Sequence, residues 1–239
     1  MMEQRFLQET EMVNYNSDSI KSLVQVNGWN KLDNFSKIDA IYDFVQNKIL
    51  FGYNADDTLS AAEVLKDGIG QCNTKSTLLM ALLRAVNIPC RLHASKVTKD
   101  FQKGATSGII AKLAPQYILH TWVEVYYGTT WVSLEGVILD KKYLSALQQK
   151  YPNQKGLFKG YAVATNCFEN PPIDWKGNDT FIQREAVAFD FGLYASPDEF
   201  FSQHKQEICI IKHFLYIHIG RHIMTMNIAK IRGKATLQR

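Results

Sequence analysis

The chain is poor in the features that would place it outside the soluble globular classes. Its only cysteines are Cys72, Cys90, Cys167 and Cys209, with no CxxC pair among them, so neither a thioredoxin motif nor a cysteine zinc site is indicated. No metal or other cofactor is called for by any spacing of histidines and cysteines. The longest uninterrupted apolar run is the six residues 78–83, far short of the roughly 18 that span a bilayer. Residues 1–11 mix charged and polar side chains and lack the apolar stretch and small-residue cleavage site of a secretory signal, so the expected compartment is the cytoplasm, where the cysteines stay thiols. No internal repeat or low-complexity tract is present.

What is present is a chain of 239 residues, 46% hydrophobic and 21% charged, enough for one elaborated core and too apolar for disorder. Its net charge of +4 is unevenly placed. From Phe201 onward seven lysines and arginines face a single acid, Glu207, while the rest of the chain is mildly acidic.

Residues 1–30 carry weak helical periodicity. Ser36 then reads as the N-cap of a helix with an apolar stripe at Ile38, Ile41, Tyr42, Val45 and Ile49, ending near Lys48. Ser60 and Glu63 form a capping box for a short helix stopped by Asp67 and Gly68. The glycine-bearing turn Gly68-Ile-Gly-Gln-Cys72 runs directly into a long helix with Leu78, Leu79, Leu82, Leu83 and Val86 on one broad face, ended by Asn87-Ile-Pro89. Beyond Pro89 the period changes to that of strands over residues 90–97, 119–127 and 130–134, the last two joined as a hairpin through Gly128. Residues 98–116 read as a long loop, 141–150 as a helix and 161–167 as a strand. Ser196-Pro-Asp-Glu199 is a strong helix start, with that helix continuing at least through Gln206. A second helix is expected over 209–219, ending before Gly220-Arg221, with Ile210, Ile211, Phe214, Leu215 and Ile217 buried against the core.

Cys72 opens the long helix, where unpaired N–H groups and the positive end of the dipole favour a thiolate. Buried cysteines are common, so position alone leaves a structural role open. Of the six histidines, His93 reads as a strand residue on the solvent face, and His204, His213, His218 and His222 fall in helices of the basic tail. His120 opens an alternating strand, with Trp122 and Glu124 on its own face. Across the hairpin Glu135 ends the next strand, beside the start of the first, within reach of His120. Asp140 is the competing acceptor but lies beyond Gly136. Glu124 is about 13 Å along the strand.

The blocks GIGQCNTKSTLLMALLRAVNIPCR, from Gly68, and HTWVEVYYGTTWVSLEG, from His120, resemble the core of the transglutaminase-like superfamily of papain-fold cysteine enzymes. The helix from Ser36 and Phe51-Gly-Tyr-Asn54 resemble the family's lead-in, so the likeness covers residues 36–140. It implies an α+β fold, a papain-like or transglutaminase core in which the helix carrying the catalytic cysteine packs on an antiparallel sheet, with C-terminal helices added. It further implies Cys72 as nucleophile, His120 as general base and Glu135 as orienting acid, acting on amide bonds through a thioester. Peptidase or amidase activity is the first expectation; protein-glutamine transamidation or a silent binding module of the same fold are the others. Two positions depart from the family: glutamate stands at 135 in place of aspartate, and Asn73 follows the cysteine where animal transglutaminases carry tryptophan. The expected organisation is a lead-in over 1–35, the core over 36–140, the remainder of the same domain over 141–195, and a basic helical segment over 196–239 packed on the core. A peptide or protein substrate is expected as partner, with no nucleic acid and no stable membrane association.

Overall fold

In the computed structural model of the chain, which describes residues 2–106 and 114–234, the N-terminal part is helical: α1 (Met2–Arg5), α2 (Asp18–Asn27) and α3 (Asn34–Asn47). The cap of α3 is Asp33, not Ser36. Its carboxylate accepts the backbone N–H groups of Phe35 and Ser36, and the Ser36 hydroxyl donates to it. An ionised acceptor is favoured at the positive end of the helix, which draws the start forward. A short strand β1 (Leu50–Phe51) follows, then α4 (Ala61–Asp67), with the Ser60–Glu63 capping box and Gly68 in the left-handed conformation at its end. Strand β2 (Ile69–Gly70) pairs in parallel with β1 and leads at once into α5 (Cys72–Ala85).

Helix α5 is the centre of the molecule, for every residue from Asn73 to Arg84 is buried. A helix covered on all sides tolerates polar groups only when they are bonded. Its Arg84 donates to the carbonyls of Gln8, Cys90 and Ala195, tying the N-terminal segment, the sheet and the chain beyond it to one helix end. The helix packs on a four-stranded antiparallel sheet of β3 (Cys90–Thr98), β4 (Tyr117–Tyr127), β5 (Thr130–Ser133) and a later strand β8 (Val187–Tyr194), in the order β5-β4-β3-β8. Leu92 and Ala94 of β3 with Val123 and Val125 of β4 supply buried apolar side chains. The hairpin register places Glu124 opposite Ser133.

The connection between β3 and β4 lies where the loop 98–116 is expected. Strand β3 runs to Thr98, residues Lys99–Gln102 form a 3-10 turn and β4 begins at Tyr117; residues 107–113 lie outside the described part. Helix α6 (Lys141–Lys150) falls where expected, capped by Asp140. The strand expected over 161–167 is reduced to β7 (Val163–Thr165), paired with β6 (Phe158–Gly160). Strand β8 (Val187–Tyr194), the fourth in the main sheet, had no sequence signal, because its alternation is interrupted by Asp190 and Gly192 at a bulge.

Helix α7 (Pro197–Gln203) has the predicted Ser196 cap but ends before Gln206, whose side chain instead bonds the Leu119 N–H and the Tyr117 carbonyl. The last helix runs through Gly220 rather than stopping there: α8 (Ile210–Leu215), a five-residue π turn (Tyr216–Gly220) and α9 (Arg221–Lys234) are continuous. A second expectation fails with it. Ile210, Ile211, Phe214, Leu215 and Ile219 are exposed and Ile217 is half-buried, while Gly220, Met224 and Ile228 make the buried stripe. The π turn adds a residue to one turn, so the apolar row before it is rotated away from the row that meets the core.

Arg232 completes the attachment by pairing with the buried Asp140. Ile228→Ala should therefore cost about 2–5 kcal/mol of stability, whereas Phe214→Ala should stay within about 0.5 kcal/mol. Urea unfolding of the two variants measures both, and a large loss at Phe214 would contradict its exposed position.

Candidate active site

The turn before Cys72 is held by its own chain. Gly52 N–H donates to the Gly70 carbonyl, Asn54 N–H to the Gln71 side-chain carbonyl, and the Thr74 hydroxyl to the Asn54 side chain. A Cβ at Gly70 would lie 2.7 Å from Lys75 Cγ and 2.9 Å from Thr74 Oγ1. Glycine is thus required there by the first turn of α5 closing over the backbone. Cys72 follows as the first helical residue, half-buried, with its thiol 3.6 Å from the Asn73 side-chain oxygen.

Asn73 is the link to the sheet. Its amide donates to the Leu119 carbonyl at 3.2 Å and its oxygen accepts the Thr121 hydroxyl at 3.1 Å. These two bonds grip β4 on either side of His120, so the departure from tryptophan at this position has a structural consequence: it fixes the register between the cysteine helix and the histidine strand.

His120 is wholly buried. Its Nε2 lies 2.9 Å from Glu135 Oε1, and the other carboxylate oxygen, Oε2, accepts the backbone N–H groups of Ile182 at 2.9 Å and Gln183 at 3.1 Å. Since Oε1 is the acceptor, Nε2 carries a proton in either charge state of the ring, and Nδ1 is the nitrogen that gains or loses the second one. Nδ1 is buried with no hydrogen-bond partner. Burial opposes charging of the ring, but Cys72 and Glu135 outweigh it and raise the His120 pKa to about 10. The sequence-predicted residues Cys72, His120 and Glu135 are therefore brought together.

The competing acids are occupied elsewhere. Asp140 caps α6 through the Tyr143 N–H, accepts the Phe51 N–H and pairs with Arg232. Glu124 pairs with Arg91 and His93. His93, expected to face solvent, is half-buried, stacked on Trp122 at 4.1 Å and also bonded to Asp190 of β8.

Four further groups at the site carried no usable sequence signal. Tyr53 is buried with an unpartnered hydroxyl, and burial together with the Cys72 charge pushes its pKa up. Tyr216, from the π turn, donates to the Asn54 carbonyl, and burial, Asp57, Tyr53 and Cys72 all raise its pKa. Asp57 accepts from the Gln71 side chain, and burial raises its pKa despite the Asn73 and Gln71 hydrogen bonds. Lys75, one turn after the cysteine, is fully buried with its ammonium on the carbonyls of Gln46 and Ile138.

Burial lowers the Lys75 pKa to about 7. Between pH 7 and its ordinary value of 10.5 the unfolded chain binds the proton and the folded chain does not, so the cost of burying this lysine is full below that window and fades as pH rises through it. The stability difference between Lys75→Met and wild type should shrink from pH 7 to pH 10 in paired urea titrations; a pH-independent difference would refute it. Among the described residues no group of three or more His, Cys, Asp and Glu side chains could hold a metal ion, and no helix is long and apolar enough to cross a membrane.

Residues 24–136 match the model of the transglutaminase-like superfamily. Among solved structures, the chain is similar to a "putative cysteine protease" from Cytophaga hutchinsonii, with 24% identity and a TM-score of 0.42, over 55% of this chain and 40% of that one. It is also similar to red sea bream transglutaminase, with 15% identity and a TM-score of 0.31, over 51% of this chain and 25% of that one. The match thus spans less than half the length of either. No curated protein matches the sequence.

Proposed function

We propose that this chain, whose residues 24–136 match the transglutaminase-like superfamily model, is a cysteine-dependent hydrolase of amide bonds in peptides or proteins. The observation that carries the proposal is the divided imidazole of His120: Nε2 is held by Glu135, and the unpartnered Nδ1 is left on a ring whose basicity Cys72 raises. Nδ1 takes the Cys72 proton, and the thiolate forms a C–S bond to the amide carbonyl carbon. The resulting oxyanion is met by the Cys72 backbone N–H at the helix start and by the Tyr53 hydroxyl. As the C–N bond breaks, Nδ1–H passes its proton to the departing nitrogen. Water, deprotonated by the same nitrogen, then attacks the thioester and releases the thiolate and a carboxylic acid.

A peptide library incubated with the enzyme and followed by mass spectrometry, with and without an added primary amine, tests the reaction. Hydrolysis gives two shorter peptides in both arms. Amine adducts without cleavage would make the chain a transamidase, and no product in either arm would leave the fold without this chemistry. Tyr53→Phe should lower kcat by about 10²–10³ with KM little changed, the loss typical of one oxyanion donor. Wild-type kcat in that variant would remove Tyr53 from the mechanism.

A further inference from the structure

The helix from Ile210 to Lys234 is divided in its environment. Its second part is anchored: Met224 and Ile228 are buried, Thr225 accepts the Tyr53 N–H, and Arg232 pairs with Asp140. Its first part, α8, buries no residue. Ile210, Ile211 and Phe214 are 87%, 74% and 61% exposed, and Leu215 and Ile219 add 37% and 52%. Positions 210, 211, 214 and 215 recur at one helical face, so these side chains form a contiguous apolar row rather than scattered exceptions.

The chain from Lys212 onward carries charge of one sign. No aspartate or glutamate occurs after Glu207, whereas Lys212, Arg221, Lys230, Arg232, Lys234 and Arg239 follow it. Lys212 and His213 sit beside the row and His218 within it, all exposed. A second copy meeting this face through a two-fold axis would bring its cations against the same cations, while the nearest acid along the chain, Glu207, is paired with Lys96. An anionic lipid surface offers the complementary pair of properties, an apolar layer for the row and headgroup phosphates for the cations.

We infer that the helical face around Ile210, Ile211, Phe214 and Lys212 docks the protein peripherally on an anionic membrane surface. The helix lies in the interface and does not cross it. The wall it forms continues through Tyr216 to the Asn54 carbonyl beside the Cys72 turn, so docking holds the cysteine site close to the bilayer.

Co-sedimentation of the full chain with phosphatidylcholine vesicles, with and without an equal part of phosphatidylglycerol, tests this independently of any activity. Binding is expected only to the anionic vesicles and should weaken as salt is raised. The double variant Ile211→Asp with Phe214→Asp should bind at least about tenfold more weakly with an unchanged melting temperature, and Lys212→Glu, a single exposed change, should also weaken binding. Absence of binding to anionic vesicles, equal binding to neutral ones, or undiminished binding by the double variant would each overturn the inference. So would light scattering that finds a wild-type dimer and a monomeric double variant, which would assign the face to a second copy.

Discussion

Cys72→Ser is expected to reduce amide turnover to background, a loss on the order of 10⁶-fold, as when the nucleophile of a protease triad is removed. The fold should survive, because the half-buried thiol meets the Asn73 side chain at 3.6 Å and the His120 ring, and serine, slightly smaller, fits the same space. Hydroxyl cannot replace thiol here. The proposed base draws its strength from a neighbouring negative charge, and serine at this position stays neutral at any pH where the protein is folded.

The other three cysteines give the control. Cys90 is buried with its thiol on the Met80 carbonyl, and burial raises its pKa, so it is unreactive. Cys167 is half-buried and Cys209 exposed, and the thiol that raises the His120 pKa is Cys72. Their serine variants should keep most activity, and iodoacetamide should modify Cys72 first in the wild type. Full turnover in Cys72→Ser would end the proposed chemistry.

The site was legible in the sequence where chemistry and secondary structure share the same few residues. A cysteine opening a helix after a glycine turn and a histidine near the start of a strand are local facts; Glu135, expected to end the next strand, instead opens a 3-10 turn (Glu135–Val137) beyond Ser133 and meets His120 from there. Tyr53, Asn73, Gln183 and Tyr216 were not legible, because each acts through a contact made only after folding. Asn73 bonds the sheet from the helix; Gln183 presents its backbone N–H from a segment without regular structure; Tyr216 arrives from the far end of the chain.

The fold shows the same division. The capping box at Ser60 and the hydroxyl cap of Ser196 on the Glu199 N–H reported helix starts faithfully because the partners lie within four residues. The burial of the last helix did not follow from its composition. Its most apolar stretch is outside, and a stripe as sparse as Gly220, Met224 and Ile228 is inside, since the angular phase is set by a π turn that leaves no mark in the hydrophobic pattern.

Glu135→Gln should lower the rate by about 10⁴, on the order seen when a triad acid becomes an amide. The cause can be derived from the bonds. Both carboxylate oxygens of Glu135 accept: Oε1 from His120, Oε2 from the N–H groups of Ile182 and Gln183. Glutamine has one oxygen and an NH₂. Turning its oxygen to the two fixed backbone donors keeps two hydrogen bonds and leaves the NH₂ facing Nε2, which must then accept. The imidazole proton moves to Nδ1, the atom that has to receive the proton of Cys72, and the thiol stays neutral. Loss of the carboxylate charge also lowers the basicity of His120, which Glu135 helps raise to about 10. The alkaline limb of the rate profile, where the general acid is lost, should therefore shift toward lower pH in any residual activity of the variant. Glu135→Asp keeps the charge on a shorter stem and should be milder. Asp140→Asn breaks the pair with Arg232 and should lower stability while leaving the rate of the folded enzyme near wild type. Harmless replacement at 135 together with a crippled rate at 140 would mean that the orienting acid is Asp140 and that the bond seen between His120 and Glu135 is structural.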